Sequence, residues 1–301
     1  MEFERAFRTE RGCRDYLSRL RWPKGFRCPR CGHNQAWLTG RGLFHCGGCR
    51  KDASLTAGTI FHRSHLSLRV WFRAIWWATN QKSGVSALGL QRTLGMGSYE
   101  TAWSCLHKLR RAMVRPGRER LGGEVEVDES FVGGHEARGG RRHIGKKALV
   151  AIAVEIRGKG MGRVRLQRIP DASERSLSSF VRNAVQPGSV LVTDGWESYA
   201  PLAKQGYGHR PRPAYPDRKQ AVVLLPRVHR VAALLKRWLL GIHQGRVSRD
   251  MLDSYLNEFA FRFNRRLSSN RGQLFHRLVQ QAAMVGPAPD FSGKRAILIS
   301  G

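Results

Sequence analysis

Two Cys-x-x-Cys pairs near the amino terminus constrain the fold of this chain more than any other feature. Cys28 and Cys31 form the first pair and Cys46 and Cys49 form the second, with 14 residues between the pairs. This is the spacing of a zinc ribbon, in which two such pairs provide the four thiolates of a tetrahedral Zn²⁺ site. A redox dithiol or a set of disulfides is the alternative, and a second pair at this distance argues against both. The sequence therefore predicts a ribbon that depends on structural zinc to fold.

The balance of charge limits the partners that such a chain can have. Its 53 Lys and Arg residues against 22 Asp and Glu residues give a formal net charge of +31. A polyanion usually screens a charge of this size, and the common polyanions are nucleic acid and anionic membrane. No apolar stretch is long enough to span a membrane, and the start does not read as a signal peptide. We therefore expect a cytoplasmic nucleic-acid-binding protein without a membrane partner, with Trp37 and Phe44 of the ribbon on the contact surface.

A helix-turn-helix pattern follows the ribbon. Residues 86–94 and 98–114 have helical patterns and are separated by a turn with two glycines. The second helix of such a unit lies in the major groove of DNA and presents its first turn to the bases. Tyr99 and Thr101 would occupy that turn. An ordinary helical hairpin is the alternative, but the adjacent ribbon and the basic end of the second helix favour DNA binding.

The pattern changes from helices to strands after residue 118. Three consecutive strands, a helix, a fourth strand and a second helix are predicted, which is the element order of the ribonuclease H fold. The first and fourth strands are neighbours in that fold, so Asp128 and Asp194 are expected on strands about 4.8 Å apart. Two carboxylates this close repel each other unless a cation bridges them, and Mg²⁺ is the usual ion. The pair therefore predicts a divalent-metal site for phosphodiester chemistry.

A third ligand of that site is expected from a later helix. Residues 226–238 are amphipathic, and His229 and Lys236 lie seven positions apart, hence on one face. Glu258 is the competing third acid. It lies in a helix in which an ion pair with Arg262 at i+4 is the preferred interpretation.

At these residues the chain resembles the ISXO-two-like transposases, insertion-sequence enzymes of bacteria with a zinc ribbon and a DDE-type catalytic domain. The resemblance lies in the four cysteines and in residues 125–129, 193–196 with Tyr199, 235–238 and 255–266. It implies that Asp128 and Asp194 are the first two metal ligands and that Lys236 follows the third. His229 stands where the family has Glu or Asn, and Ala233 where Ser is common. Because Mg²⁺ prefers oxygen ligands, His229 makes Mn²⁺ an alternative to Mg²⁺.

These observations together predict an α+β or α/β chain in four parts. They are a zinc ribbon in 1–60, a helix-turn-helix region with a linker in 61–118, a ribonuclease-H-like domain with a mixed sheet flanked by helices in 119–284, and a tail in 285–301.

The predicted function is that of a nucleoid-associated bacterial transposase. It would bind the terminal inverted repeats of its element, cut and join strands with a divalent metal, and act on DNA as a homodimer or a higher oligomer. Arg237, Arg265 and Arg266 are expected to contact phosphates, as is Lys236. Because of the departures at His229 and Ala233, the alternative is a catalytically inactive, domesticated DNA-binding regulator.

Overall fold

The computed structural model describes residues 2–115, 117–133, 147–212, 224–243 and 247–287. The chain divides into two compact units, the first formed by residues 1–116 with 268–301 and the second by residues 117–267. The helices are α1 (Glu2–Ala6), α2 (Glu10–Arg21), α3 (Leu68–Asn80), α4 (Ala87–Leu94), α5 (Tyr99–Ala112), α6 (Glu174–Ala184), α7 (Pro226–His243), α8 (Arg249–Asn264) and α9 (Arg271–Met284), with a 3₁₀ helix at Glu197–Gln205. The strands are β1 (Ala36–Leu38), β2 (Phe44–Cys46), β3 (Asp52–Ala53), β4 (Glu124–Val132), β5 (Ala148–Arg157), β6 (Gly160–Ile169), β7 (Val190–Thr193) and β8 (Gly208–Pro211).

The ribbon in the first unit is a small antiparallel sheet in the order β1-β2-β3. Its strands have two or three residues each, so they bury little apolar surface of their own. The rings of Trp22, Phe26 and Phe44 pack together with centroids 4.9–5.4 Å apart. Phe44 is therefore part of a packed ring cluster, whereas Trp37 on β1 is 58% exposed.

The predicted helix-turn-helix elements are α4 and α5. Gly95 ends α4 in the left-handed conformation with φ +63°, which glycine adopts without steric cost. Ser98 caps α5, because its hydroxyl oxygen accepts a hydrogen bond from the Thr101 N–H at 3.1 Å. These two local signals, a left-handed glycine and a serine cap, set the turn between the helices.

Helix α9 packs in the first unit, against α2 and α3. Phe275 of α9 lies in an aromatic cluster with Phe3, Phe7, Phe72 and Trp76, with neighbouring centroids about 5–6 Å apart. The second unit accordingly ends at residue 267, which differs from the boundary at 284 that the sequence suggested. The reason is that α9 buries its apolar face against the amino-terminal helices. Residues 288–301, most of the predicted tail, lie outside the described residues.

The second unit is built on a five-stranded mixed sheet in the order β6-β5-β4-β7-β8. Strands β4, β5 and β6 are consecutive antiparallel neighbours, and β7 lies beside β4, which agrees with the predicted adjacency of the first and fourth strands. The β4–β7 pairing is parallel. Strand β8, which the sequence analysis missed, extends the sheet parallel to β7.

Helices flank this sheet. Val125, Val127 and Leu191 on one face join a buried core with residues of α6 and the 3₁₀ helix, including Leu177 and Tyr199. Helix α7 packs against β4 and β5, and α8 packs against β6. The ribonuclease-H-like arrangement thus places α7 beside the strand that carries Asp128.

In the part of the chain that the structure describes, none of the helices has the length and hydropathy of a membrane span.

Candidate metal centres and catalytic site

The Sγ atoms of the four ribbon cysteines form one compact cluster. Cys28 and Cys49 lie 3.8 Å apart, Cys31 and Cys46 lie 3.6 Å apart, and all four Sγ atoms are within 4.8 Å of one another. Four thiolates around Zn²⁺ at bonds of about 2.3 Å would have edges of about 3.8 Å, so the spacing fits this ion. Hydrogen bonds from the backbone of Cys31 and Arg30 lower the pKa of the Cys28 thiol to about 6, which favours the thiolate that binds metal.

The remaining two cysteines do not belong to this cluster. Cys13 is buried in α2 and Cys105 in α5. Burial raises the pKa of the Cys13 thiol to about 11 and raises the pKa of the Cys105 thiol as well. Both side chains therefore favour the protonated thiol and behave as small apolar core groups.

The register of β4 and β7 brings Asp128 and Asp194 to the same end of the sheet. Glu126 pairs with Val192 in this parallel ladder, so Asp128 and Asp194 each follow that pair by two residues. Asp128 is buried and Asp194 is half-buried. An Asx-type hydrogen bond from the Trp196 N–H to Asp194 Oδ1, at 3.0 Å, turns the chain immediately after β7.

His229 is the third group at this end of the sheet. It lies on the first turns of α7, with its Nε2 atom 3.8 Å from Asp128 Oδ2. That nitrogen is buried and makes no hydrogen bond within the described residues. Burial lowers the pKa of His229, opposed by Glu126 and Asp194 and assisted by Lys236. A neutral imidazole with an unused buried nitrogen beside a carboxylate fits a metal ligand.

The three predicted ligands are close to one another but do not form a compact cage. Among the described residues, the cysteines are the one group of three or more metal-binding side chains whose ligand atoms all lie within 4.8 Å. The structure therefore brings Asp128 and His229 together and places Asp194 on the adjacent strand end, outside that limit for the set.

Tyr199 and Glu129 form a buried polar contact beside Asp128 that the sequence patterns did not predict. The Tyr199 hydroxyl, fully buried in the 3₁₀ helix, donates a hydrogen bond to Glu129 Oε2 at 2.9 Å. Burial raises the pKa of Tyr199 well above 10, and Glu129, Asp128 and Asp194 raise it further. The hydroxyl is thus held protonated in a field of three carboxylates. The sequence signal was the position of Glu129 next to Asp128 within the first predicted strand.

The predicted phosphate contacts differ in how their side chains are used. Lys236 and Arg237 are exposed on α7. Arg265 stacks on the Phe261 ring at 4.0 Å. Arg266 stacks on the Phe263 ring at 4.1 Å and donates to the backbone carbonyls of Met161 and Gly162. Arg266 therefore fastens the end of α8 to β6.

The helix-turn-helix candidates lie on the first turn of α5. Tyr99 is 48% exposed, whereas Thr101 is half-buried and its hydroxyl lies 3.0 Å from the Ser98 hydroxyl. Tyr99 is thus the more accessible of the two.

Glu258 lies in the ion pair that the sequence indicated. Its Oε1 atom accepts hydrogen bonds from Arg262 Nε at 2.8 Å and from a terminal guanidinium nitrogen of Arg262 at 2.7 Å. Both side chains are largely buried. The buried ion pair with Arg262 in α8 therefore explains why a glutamate occupies position 258.

The fold and the site define a class of protein. The strand order, the carboxylates on the first strand and directly after the fourth strand, and the preceding four-cysteine ribbon are those of a ribonuclease-H-like protein with an N-terminal zinc ribbon. Residues 120–264 match the description "ISXO2-like transposase domain", and residues 8–52 match the description "transposase zinc-ribbon domain". The chain belongs to this family of transposases.

A relative from Halobacterium salinarum supports the same assignment. It is described as an uncharacterized protein in transposable element ISH50 and is 27% identical over 278 residues, which cover 86% of this chain and 92% of the relative. The likeness thus extends over most of both chains.

Proposed function

We propose that this chain is an active transposase that binds the terminal inverted repeats of its element and cuts and joins DNA strands at Asp128, Asp194 and His229. The observation that carries the proposal is the placement of these groups on neighbouring elements. Asp128 on β4 and Asp194 directly after β7 each follow the Glu126–Val192 pair of the parallel ladder by two residues, and His229 Nε2 lies 3.8 Å from Asp128 Oδ2.

These side chains are suited to hold a divalent ion. Two carboxylates and a neutral imidazole form a mixed oxygen and nitrogen set, which admits Mn²⁺ as well as Mg²⁺. A divalent ion bound there would supply activation of the attacking oxygen and stabilisation of the leaving oxygen. The ribbon cysteines would hold a separate structural Zn²⁺.

The strand chemistry consists of two displacements at phosphorus. In the first, water attacks the phosphodiester at the element end, the P–O bond to the 3′-oxygen breaks, and a 3′-hydroxyl is released. In the second, that hydroxyl loses its proton as it attacks a target phosphate and displaces a target 3′-oxygen. Lys236 lies two turns along α7 from His229 on the same face, and we expect it to contact the scissile strand.

The DNA contacts follow from exposure and charge. Lys236 and Arg237 on α7 would bind phosphates, with Arg265 and Arg266 as weaker candidates because both also contact the chain itself. Tyr99 and Thr101 on α5 would approach base edges, and Trp37 would add an exposed aromatic surface on the ribbon. Since joining needs two element ends together, we propose that the active form is at least a homodimer.

The test is strand cleavage of DNA that carries the element end, with Mg²⁺ or Mn²⁺. We expect Asp194→Asn to reduce cleavage at least about a hundredfold, because loss of the carboxylate removes a metal ligand. Asp171→Asn is the matched control: Asp171 is an exposed aspartate of the same unit whose partners are Ser173 and Ser176. Asp194→Asn that cleaves at the rate of Asp171→Asn would contradict the assignment.

A second candidate function follows from the imidazole at the third position. If the wild-type chain binds element ends but cleaves with neither ion, the chain is a DNA-binding regulator derived from a transposase. His229 and Ala233, where the family has an acid or amide and a serine, are the observations that motivate this candidate.

A further inference from the structure

Glu126 is a buried carboxylate of the second unit that is not one of the three proposed metal ligands. It lies in the middle of β4 between Val154 of β5 and Val192 of β7 and is 0% exposed. An ionised carboxylate in such a position is costly unless hydrogen bonds and a counter-charge compensate it. Glu126 is two residues before Asp128, so both side chains project from the same face of the strand.

The first turn of α7 supplies that compensation. Glu126 Oε2 accepts hydrogen bonds from the backbone N–H groups of Arg227 at 2.8 Å and Val228 at 2.9 Å. Glu126 Oε1 accepts a hydrogen bond from the Arg227 guanidinium at 2.9 Å. The first N–H groups of a helix have no partner within it, and the helix dipole favours a negative charge there. A strand carboxylate therefore caps a helix that is distant in sequence.

Arg227 fastens the same turn at a second place. Its Nε atom donates to the Gly160 carbonyl at 2.9 Å, and its other terminal nitrogen donates to the Gly158 carbonyl at 2.7 Å. Gly158 lies in the turn between β5 and β6, and Gly160 is the first residue of β6. The start of α7 is thus fixed both to β4 and to the adjacent hairpin.

These contacts determine where His229 points. His229 follows Val228 directly, and a rotation of α7 by one residue, about 100°, would carry its ring away from the strand. Asp128 lies about 6.6 Å along β4 from Glu126, and His229 Nε2 is 3.8 Å from Asp128 Oδ2. The cap at Glu126 and the contact at Asp128 therefore set one register between β4 and α7.

We propose that Glu126 is a positioning residue that holds His229 against Asp128 by capping α7. This inference rests on the proposed function, in which Asp128 and His229 bind a divalent ion. Residues that orient metal ligands through hydrogen bonds change metal affinity by about 10- to 100-fold when they are replaced. Glu126 would act in this way through the backbone of α7.

Glu155 offers a matched control within the same sheet. Its carboxylate is 4% exposed and accepts hydrogen bonds from the backbone N–H groups of Arg163 and Gly122 and from the Arg163 guanidinium. It pairs with Val125, so it lies on the face opposite Glu126. Glu126 and Glu155 therefore share burial and type of partner, but only Glu126 caps α7.

The experiment measures Mn²⁺ affinity of the full chain by electron paramagnetic resonance of free Mn²⁺, and hydrogen exchange at the start of α7. We expect Glu126→Gln to weaken Mn²⁺ binding at least about tenfold and to speed exchange of the Arg227 and Val228 amides. Glu155→Gln should destabilise the chain but keep Mn²⁺ affinity within about twofold of the wild type.

The outcomes separate this inference from the proposed function. Mn²⁺ binding that survives Asp128→Asn would overturn the proposed site. Binding that is lost in Asp128→Asn but kept in Glu126→Gln would overturn the positioning role alone. Should Glu126→Gln fail to fold, Arg227→Met removes one of the three hydrogen bonds to Glu126, and a Mn²⁺ affinity equal to that of the wild type would then overturn the proposal.

Discussion

In the described part of the second unit, three buried glutamates accept hydrogen bonds from arginine side chains. Glu126 accepts from Arg227, Glu155 from Arg163 and Glu258 from Arg262. The last of these pairs is intrahelical, and its side chains are 2% and 12% exposed. Because burial shields these charges from water, removal of one member of a pair would leave the charge of the other uncompensated and would destabilise the fold. These glutamates contribute to packing, whereas Asp128 faces an imidazole.

Glu258→Gln tests this distinction at the scale of a single residue. Loss of the carboxylate charge beside the buried Arg262 guanidinium should lower the free energy of unfolding by about 3 kcal/mol. Asp253→Asn is the control on the same helix, because the Asp253–Arg168 pair is half exposed and should contribute less than about 1 kcal/mol. Denaturant unfolding measures both changes, and equal losses would contradict the argument.

The ribbon is too small to bury much apolar surface of its own. Its three strands together have eight residues, and Trp22, Phe26 and Phe44 are the rings that pack beside them. Such a sheet buries too little apolar surface to offset the entropy of ordering its loops. We therefore expect the four cysteines to supply the cross-link through a shared ion.

Cys46→Ser tests the ribbon as an element. We expect the purified variant to lose its zinc and its resistance to proteolysis in the ribbon, because a structural site needs all four ligands. Cys105→Ala is the matched control, since Cys105 is a buried cysteine of the same unit outside the cluster. Zinc content by atomic absorption checks both, and a Cys46→Ser protein that retains one zinc per chain would refute the ligand set.

The whole molecule carries a net charge of +31. Several of its 22 acidic side chains form hydrogen bonds or ion pairs within the chain. Glu126, Glu155 and Glu258 are buried in pairs, and Glu10 accepts hydrogen bonds from the first N–H groups of α3. The excess of basic side chains over acidic ones is therefore available to bind a polyanion such as DNA. The affinity for DNA should therefore depend strongly on salt, because each neutralised phosphate releases counterions.

Lys236→Ala tests this charge at the scale of the molecule. It should reduce the steepness of log K against log salt concentration by about 1, since one phosphate contact is lost. Arg168→Ala also removes one positive charge, but Arg168 pairs with Asp253, so the slope should stay as in the wild type. Fluorescence anisotropy over a range of NaCl concentrations measures the slopes, and equal slopes in both variants would argue against Lys236 as a contact.

Local patterns in the sequence were sufficient to predict most elements. Strand patterns predicted β4 to β7, and helical patterns predicted α4, α5 and α7. Strand β8 was missed because its four residues, Gly208–Pro211, lack alternation and are held by pairing with β7. The sequence analysis assigned α9 to the catalytic domain because the pattern of a single helix does not indicate which other helices it packs against.

The sequence by itself determined the four-cysteine ribbon and the order of strands and helices, and it predicted the two aspartates at the first and fourth strands, because cysteine spacing and periodicity are local properties of the chain. Only the tertiary structure decided which side chains meet. It packed Phe44 and exposed Trp37, engaged Arg266 with β6, and joined Glu126 to the start of α7 across about a hundred residues. Such contacts arise from the register between distant elements, and no local pattern records that register.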